Sequence, residues 1–167
     1  MRRWLLEPHV RRWWDDGVLS PYPDAELDHY RDAIKGLDRT YRYVAWLDDR
    51  PVGMFQHYLI DDHPEYAEAL ALGERAVGVD LFIGEPALVG RGHGPAMLRQ
   101  FLREVALPFH GTEICVIGPA ASNASAIRAY EKAGFKRLRE VRVPDEPEPE
   151  LLLRIARADL DAPPGVE

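Results

Sequence analysis

Residues 77–105 read VGVDLFIGEPALVGRGHGPAMLRQFLREV, and residues 122–135 read SNASAIRAYEKAGF. The first stretch opens with an apolar, β-branched run, Val77 to Ile83, that predicts a strand. Gly84-Glu85-Pro86 stops it, and a loop of alternating glycines follows, Gly90-Arg91-Gly92-His93-Gly94. Pro95 predicts a helix start, at a position where a missing N–H costs nothing. Leu98, Phe101, Leu102 and Val105 give that helix one apolar face, and Pro108 predicts its end. In the second stretch Asn123 can cap a helix that runs to Ala133, with Gly134 just past it. A strand, a glycine loop and a helix with free N–H groups at its start make a phosphate-binding arrangement.

Outward from this unit, Trp4, Leu5, His9, Arg12 and Trp13 fall at helical spacings, so residues before Glu7 are expected in a helix rather than a strand. Asp24 predicts the cap of a second helix, with Leu27, Tyr30, Ile34 and Leu37 as its apolar face. Thr40 to Leu47 and Val52 to Ile60 read as two strands of a hairpin around Asp48-Asp49-Arg50-Pro51. Asp61 to Gly73 is acidic with Ala and Leu interleaved, either a short helix or a mobile flap. Further strands are expected at Thr112 to Ile117, Phe135 to Val143 and Leu151 to Ala156, the last two joined by a Pro/Glu turn, Pro144 to Glu150. Residues 1–160 read as one domain and 161–167 as a frayed tail.

The chain of 167 residues carries a net charge of −7, which argues against a nucleic-acid partner and fits a cationic one. No apolar run approaches the roughly 20 residues of a membrane span, and the patch after Met1-Arg2-Arg3 is too short for a signal peptide. The lone Cys115 permits no internal disulfide, and the histidines show no metal spacing, so no metal is expected. A cytoplasmic location is the simplest reading.

Asp80 is a candidate on physical grounds alone. Alternation places Gly78, Asp80 and Phe82 on one face of the strand and Val77, Val79, Leu81 and Ile83 on the other. A carboxylate amid apolar neighbours is costly unless it is paired or faces a cleft.

These stretches resemble the GCN5-related N-acetyltransferases, and among them the aminoglycoside 6'-N-acetyltransferase branch. The resemblance rests on the glycine loop, on Ser122-Asn123 through Tyr130 to Phe135, on His9 to Trp14, on Gly78-Val79-Asp80 and on Pro144 to Pro147. It implies a mixed α/β fold with a mostly antiparallel sheet of six to seven strands and about four helices. The family's first strand has no counterpart before the first helix here, so an exposed sheet edge is expected, to be covered either by a second copy in a homodimer or by a shift of the first helix.

The resemblance also implies acetyl-CoA as cofactor and a small-molecule amine as acceptor, with no nucleic acid and no membrane. Coenzyme A would be held by amides of Val89, Gly90, Arg91, Gly92, His93, Gly94 and Ala96, with Asn123 and Tyr130 at the pantetheine and sulfur. Asp80 would orient and deprotonate the amine, a backbone N–H among Leu81, Phe82 and Ile83 would hold the oxyanion, and Tyr130 would protonate the departing thiolate. Trp14, Gln56, Tyr58, Asp61, Asp62 and Glu65 would join Asp80 in binding the acceptor. Taken singly, Tyr130 also reads as a core aromatic, Asn123 as a plain cap, His93 as a filler between glycines, and each flap carboxylate as a solvated surface group. The branch's aspartate near the end of the fifth strand is replaced by Gly118, and its flap tryptophans are absent, with Tyr66 the one aromatic there. Other acceptors within the family are a siderophore precursor, a polyamine or a protein N-terminus. A different class altogether is an acyl-CoA-binding module without turnover.

Overall fold

The computed structural model describes residues 2–14, 31–33, 35–144 and 146–161. Its six strands hydrogen-bond in the order β1-β2-β3-β4-β6-β5. These are β1 (Tyr41–Leu47), β2 (Arg50–Leu59), β3 (Val77–Ile83), β4 (Ile114–Ile117), β5 (Lys136–Val141) and β6 (Glu150–Ala156). β3 and β4 run parallel, while β1/β2, β4/β6 and β5/β6 are antiparallel. The expected mixed, mostly antiparallel sheet is therefore found. The described residues form two compact units, Met1–His57 with Asp80–Arg91, and Tyr58–Val79 with Gly92–Glu167.

In the first unit the chain is helical from residue 2 to 14, with no strand before Glu7, but in two pieces, α1 (Arg2–Leu5) and α2 (Pro8–Trp14). Pro8 has no N–H to continue the first helix, so it starts a second one instead. The expected helix from Asp24 lies almost wholly outside the described residues. Trp4, Val10, Met54 and Phe82 form the unit's apolar cluster, with Leu5 and Trp14 packed on it. The Trp4 ring fills the space above Gly84, where an added Cβ would lie 2.1 Å from Trp4 Cγ. Trp4 Nε1 also donates to Glu85 Oε1 (2.8 Å), and Arg3 pairs with the same carboxylate.

The hairpin turns through Asp48 and Asp49, both left-handed (φ 47° and 59°), the type I′ geometry that matches strand twist. Leu47 faces Arg50 and Trp46 faces Pro51, but Ala45 faces Gly53. Val52 is thus an extra residue, a bulge, and every partner beyond it is shifted by one. Arg42 lies opposite Gln56 for this reason; an unbulged ladder would set it opposite Phe55.

In the second unit Asp61 to Gly73 is ordered: a 3₁₀ turn, Ile60–Asp62, leads into α3 (Pro64–Leu70). Leu70 is fully buried in a cluster with Ile60, Ala76, Val116, Val141 and Leu152. The main helix differs from expectation at both ends. α4 (His93–Phe101) begins two residues before Pro95, capped by Gly92. It does not stop before Pro108. A π-helical turn, Leu102–Ala106, carries it into α5 (Leu107–His110), with Leu107 N bonded to Leu102 O. That wider turn takes up the missing N–H and bulky ring of Pro108. It also rotates the buried face, which is Leu98, Leu102, Ala106 and Leu107 rather than one that includes Val105. α6 (Ala124–Ala133) and α7 (Arg157–Asp161) complete the unit. Residues 157–161, past the expected end of the last strand and with only residue 161 expected in the tail, are helical, with Leu160 buried.

Candidate active site

In the first unit Asp80 sits half-buried on β3, and Gln56 on β2 donates an amide N–H to its Oδ2 at 2.8 Å. Two residues predicted to serve the acceptor are thereby joined. The contacts continue to residues that sequence reasoning missed. Arg42 Nε donates to Gln56 Oε1 at 3.0 Å, and Arg42 Nη1 donates to Asp38 Oδ2 at 3.1 Å. Asp38 Oδ1 accepts the Thr40 amide at 3.0 Å. Burial pushes the Asp38 carboxyl up, but hydrogen bonds from Thr40 and Arg42 outweigh it and hold the group below its ordinary range. Trp14 packs edge-on to Phe82, ring centroids 4.9 Å apart. Leu81 and Ile83 flank the buried Phe82 on β3; His9 Nε2 donates to the Ile83 carbonyl (2.9 Å), since a carbonyl can only accept. On the other face of the hairpin His57 is fully buried between the stacked rings of Tyr41 and Tyr43.

In the second unit Tyr58 sits edge to face with His63 (4.9 Å) and near Tyr66 (6.3 Å). Tyr66 OH donates to Glu150 Oε2 at 2.9 Å. That carboxylate fills the space beside Gly118: an added Cβ would lie 2.0 Å from Glu150 Oε2. Glu150 gave no signal in the sequence, where it reads as the end of a Pro/Glu turn. Asp61 and Glu65 are exposed. Asp62 lies near His110, whose pKa burial lowers, with Arg75 adding to the fall and Asp62 opposing it. Glu74, just beyond this acidic stretch, is tied to Arg154 by two hydrogen bonds, 2.7 and 3.1 Å.

The glycine loop has the backbone its composition predicts. Gly90 and Gly92 are left-handed (φ 73° and 83°), and added Cβ atoms at Gly90, Gly92 or Gly94 would meet nothing within 4 Å. Gly90 and Gly92 are therefore required by backbone angle, and all three glycines leave the loop's outer surface open. Val89, Gly90, Arg91 and Gly92 are all exposed. With the helix starting at His93, unbonded N–H groups are expected at Gly92, His93 and Gly94; Ala96, a full turn in, is expected to bond within the helix, which removes it from the donor set.

Asn123 Oδ1 accepts the Ala126 amide at 3.1 Å, so it caps α6, and its side chain is buried. Tyr130 lies half-buried in the last turns of α6, tilted against Phe135 at 6.2 Å. Arg99 from α4 fixes the end of α6 by donating to the Ala133 carbonyl (2.9 Å), beside Gly134 at φ 102°. Among the described residues no group of three or more His, Cys, Asp or Glu could hold a metal ion.

The chain is similar to several characterised proteins. It is 30% identical over 148 residues to aminoglycoside N(6')-acetyltransferase type 1 of Klebsiella pneumoniae, which covers 86% of this chain and 71% of that one. The aminoglycoside N(6')-acetyltransferase structure from Legionella pneumophila superposes with a TM-score of 0.73 at 26% identity, covering 94% of this chain and 84% of that one. AAC(6')-Ib in complex with paromomycin and acetyl-CoA superposes with a TM-score of 0.80 at 25% identity, over 96% and 88%. Residues 1–143 match the family model described as the acetyltransferase (GNAT) domain. With that match over most of its length, the chain belongs to the GNAT acetyltransferases.

Proposed function

We propose that residues 1–160 act as one N-acetyltransferase domain that moves acetyl from acetyl-CoA to a primary amine of a cationic small molecule, most directly an aminoglycoside 6'-amine. The observation that carries this reading is the half-buried Asp80 carboxylate held on β3 by the Gln56 N–H at 2.8 Å. It sits in a chain whose 30%-identical relative is named for that acceptor. The cytoplasm, where this thioester is abundant, is the compartment that the proposal implies.

The residues fit the cofactor. An open glycine loop with two left-handed glycines and the free N–H groups of a nine-residue helix suits a pyrophosphate. Bound acetyl-CoA supplies an activated acetyl group. Asp80 receives the acceptor's ammonium, orients it and takes its proton, directly or through water, because only the free amine can attack. A backbone N–H along Leu81–Ile83 stabilises the charge that develops on the carbonyl oxygen. The Tyr130 hydroxyl gives a proton to the leaving sulfur, a transfer between groups of comparable acidity. Asn123 shapes the turn beside the cofactor. Gln56, held against Asp80, would meet the acceptor beside it; Tyr58, Asp61, Asp62 and Glu65 are the candidates of the second unit for the acceptor's remaining polar contacts.

The test is release of free thiol from acetyl-CoA with a panel of amines: aminoglycosides, hydroxylysine, polyamines and a peptide N-terminus. Consumption of aminoglycosides, with acetylation mapped to the 6'-amine by NMR, supports the reading. Preference for another amine moves the acceptor. Acetyl-CoA bound with no amine consumed identifies a binding module without turnover.

A further inference from the structure

Asp80, Gln56, Arg42 and Asp38 form one unbroken line of hydrogen bonds on one face of the hairpin and β3. Its chemistry has a direction. A carboxamide has one accepting end and one donating end, a guanidinium only donates, and a carboxylate only accepts. With Arg42 Nε on its oxygen and Asp80 Oδ2 on its nitrogen, Gln56 has a single satisfactory orientation. Without Arg42 the amide oxygen loses its donor, and only the Asp80 carboxylate is left to orient and hold the carboxamide.

We propose that Arg42 is a positioning residue, which locks the Gln56 carboxamide so that an N–H always meets Asp80, while Asp38 neutralises the guanidinium that does so. This deepens the proposed function and rests on Asp80 as the group that receives the amine. Both outer members are well covered, with side chains 11% and 19% exposed, so the pair is more than a solvated surface contact. The neutralisation matters. An uncompensated guanidinium one residue removed from Asp80 would repel an ammonium-bearing acceptor. The arrangement exists only because the bulge at Val52 brings Arg42 opposite Gln56.

The experiment is a double-mutant cycle on Arg42→Met and Gln56→Ala, read two ways. The first readout is a carbon-13 NMR titration of the Asp80 carboxyl in the protein without acceptor. Loss of an N–H donor to the ionised form raises its pKa, so each single variant should titrate higher than wild type, and the double variant no higher than Gln56→Ala. The second is turnover. Arg42→Met should lower kcat about 10-fold, roughly the cost of one hydrogen bond to a charged group. It should cost little further once Gln56 is alanine. Arg42→Lys, which keeps a donor, should restore part of both. Asp38→Asn should raise the KM of a cationic acceptor and leave kcat nearly intact.

An unchanged Asp80 titration in Arg42→Met, or a full additional effect in the Gln56→Ala background, overturns the proposal and leaves Arg42 as a brace for the hairpin. The reading beneath it fails separately: an Asp80→Asn enzyme as active as wild type removes Asp80 from the chemistry, whatever the titrations show.

Discussion

The ring of Tyr58 lies where a side chain on Gly78 would have to go: a Cβ there would sit 2.5 Å from Tyr58 Cε2 and 2.7 Å from its Cζ. The glycine two residues before Asp80 is thus explained by packing. Its backbone is ordinary extended strand, so no special angle requires it. Gly78→Ala should displace the ring and cost about 1–3 kcal/mol, the usual range for overpacking. Thermal unfolding should show a lowered Tm, and adding Tyr58→Ala should cost less than the sum of the two single changes. Strict additivity would mean that the ring yields without strain.

Tyr130→Phe keeps the ring that tilts on Phe135 and removes only the hydroxyl. Acetyl-CoA binding, measured by calorimetry, should stay within a few-fold of wild type. Turnover should fall about 100-fold or more, within the range for a lost general acid. Unchanged turnover would assign the proton to water, or show that product release hides the chemical step.

Asp80→Asn is nearly isosteric and still offers an oxygen to Gln56, so the fold should hold. It cannot take a proton. The deficit in kcat/KM should be largest at neutral pH and shrink at high pH, where the acceptor is already a free amine. A uniform deficit across pH, together with a lower Tm, would make Asp80 a structural residue.

The flap separates two kinds of carboxylate. Neutralising Asp61, Asp62 and Glu65 together should raise the acceptor KM more than it lowers kcat, since such groups bind ground and transition states alike. For the wild-type enzyme the acceptor KM should also rise with salt, which screens exposed charges over about 8 Å at physiological ionic strength. Glu74→Gln should leave that KM alone and act on stability. Hydrogen bonds from Arg154 hold the Glu74 carboxyl below its ordinary 4.5, against slight burial. A lowered folded-state pKa stabilises above 4.5 and is lost as pH falls through the folded value. The wild-type advantage should therefore be present at pH 7, at most about 1 kcal/mol for an exposed pair, and close in acid. A salt-insensitive acceptor KM would turn the search toward neutral or anionic amines.

What could be read in advance was local. Val77 to Ile83 is a strand at the predicted bounds, because a β-branched run between Ala76 and Gly84 leaves little choice. The cap at Asn123 and the left-handed Gly134 follow equally from short-range chemistry. The misreadings came from distant or compensating effects. Pro108 reads as a stop, yet the π-helical turn at Leu102–Ala106 carries the chain through it and moves the buried face to Ala106 and Leu107. Asp61 to Gly73 leaves both a short helix and a mobile flap open as a sequence; the burial of Leu70 against distant strands decides for the helix. In the candidate site, Gln56 and Asp80 were both legible as polar groups on apolar strands. Arg42 and Asp38 were not, since their contacts depend on a register that a one-residue bulge resets.

That bulge has a further consequence for how kindred sequences are compared. Deleting Val52 would bring Trp46–Pro51 and Ala45–Gly53 into consecutive rungs and leave Arg42 opposite Gln56; its cost falls on Gly84 and Glu85, whose amides bond to the Val52 carbonyl. A substitution that flattens the bulge at constant length does the reverse. It pairs Ala45 with Val52, brings Phe55 to Arg42, and parts Arg42 from Gln56. At this hairpin a gap in an alignment is compatible with conserved geometry, and a gapless match is compatible with its loss. Retention of the Arg42 arrangement in a relative has to be judged by pairing register, not by sequence length or by the presence of an arginine.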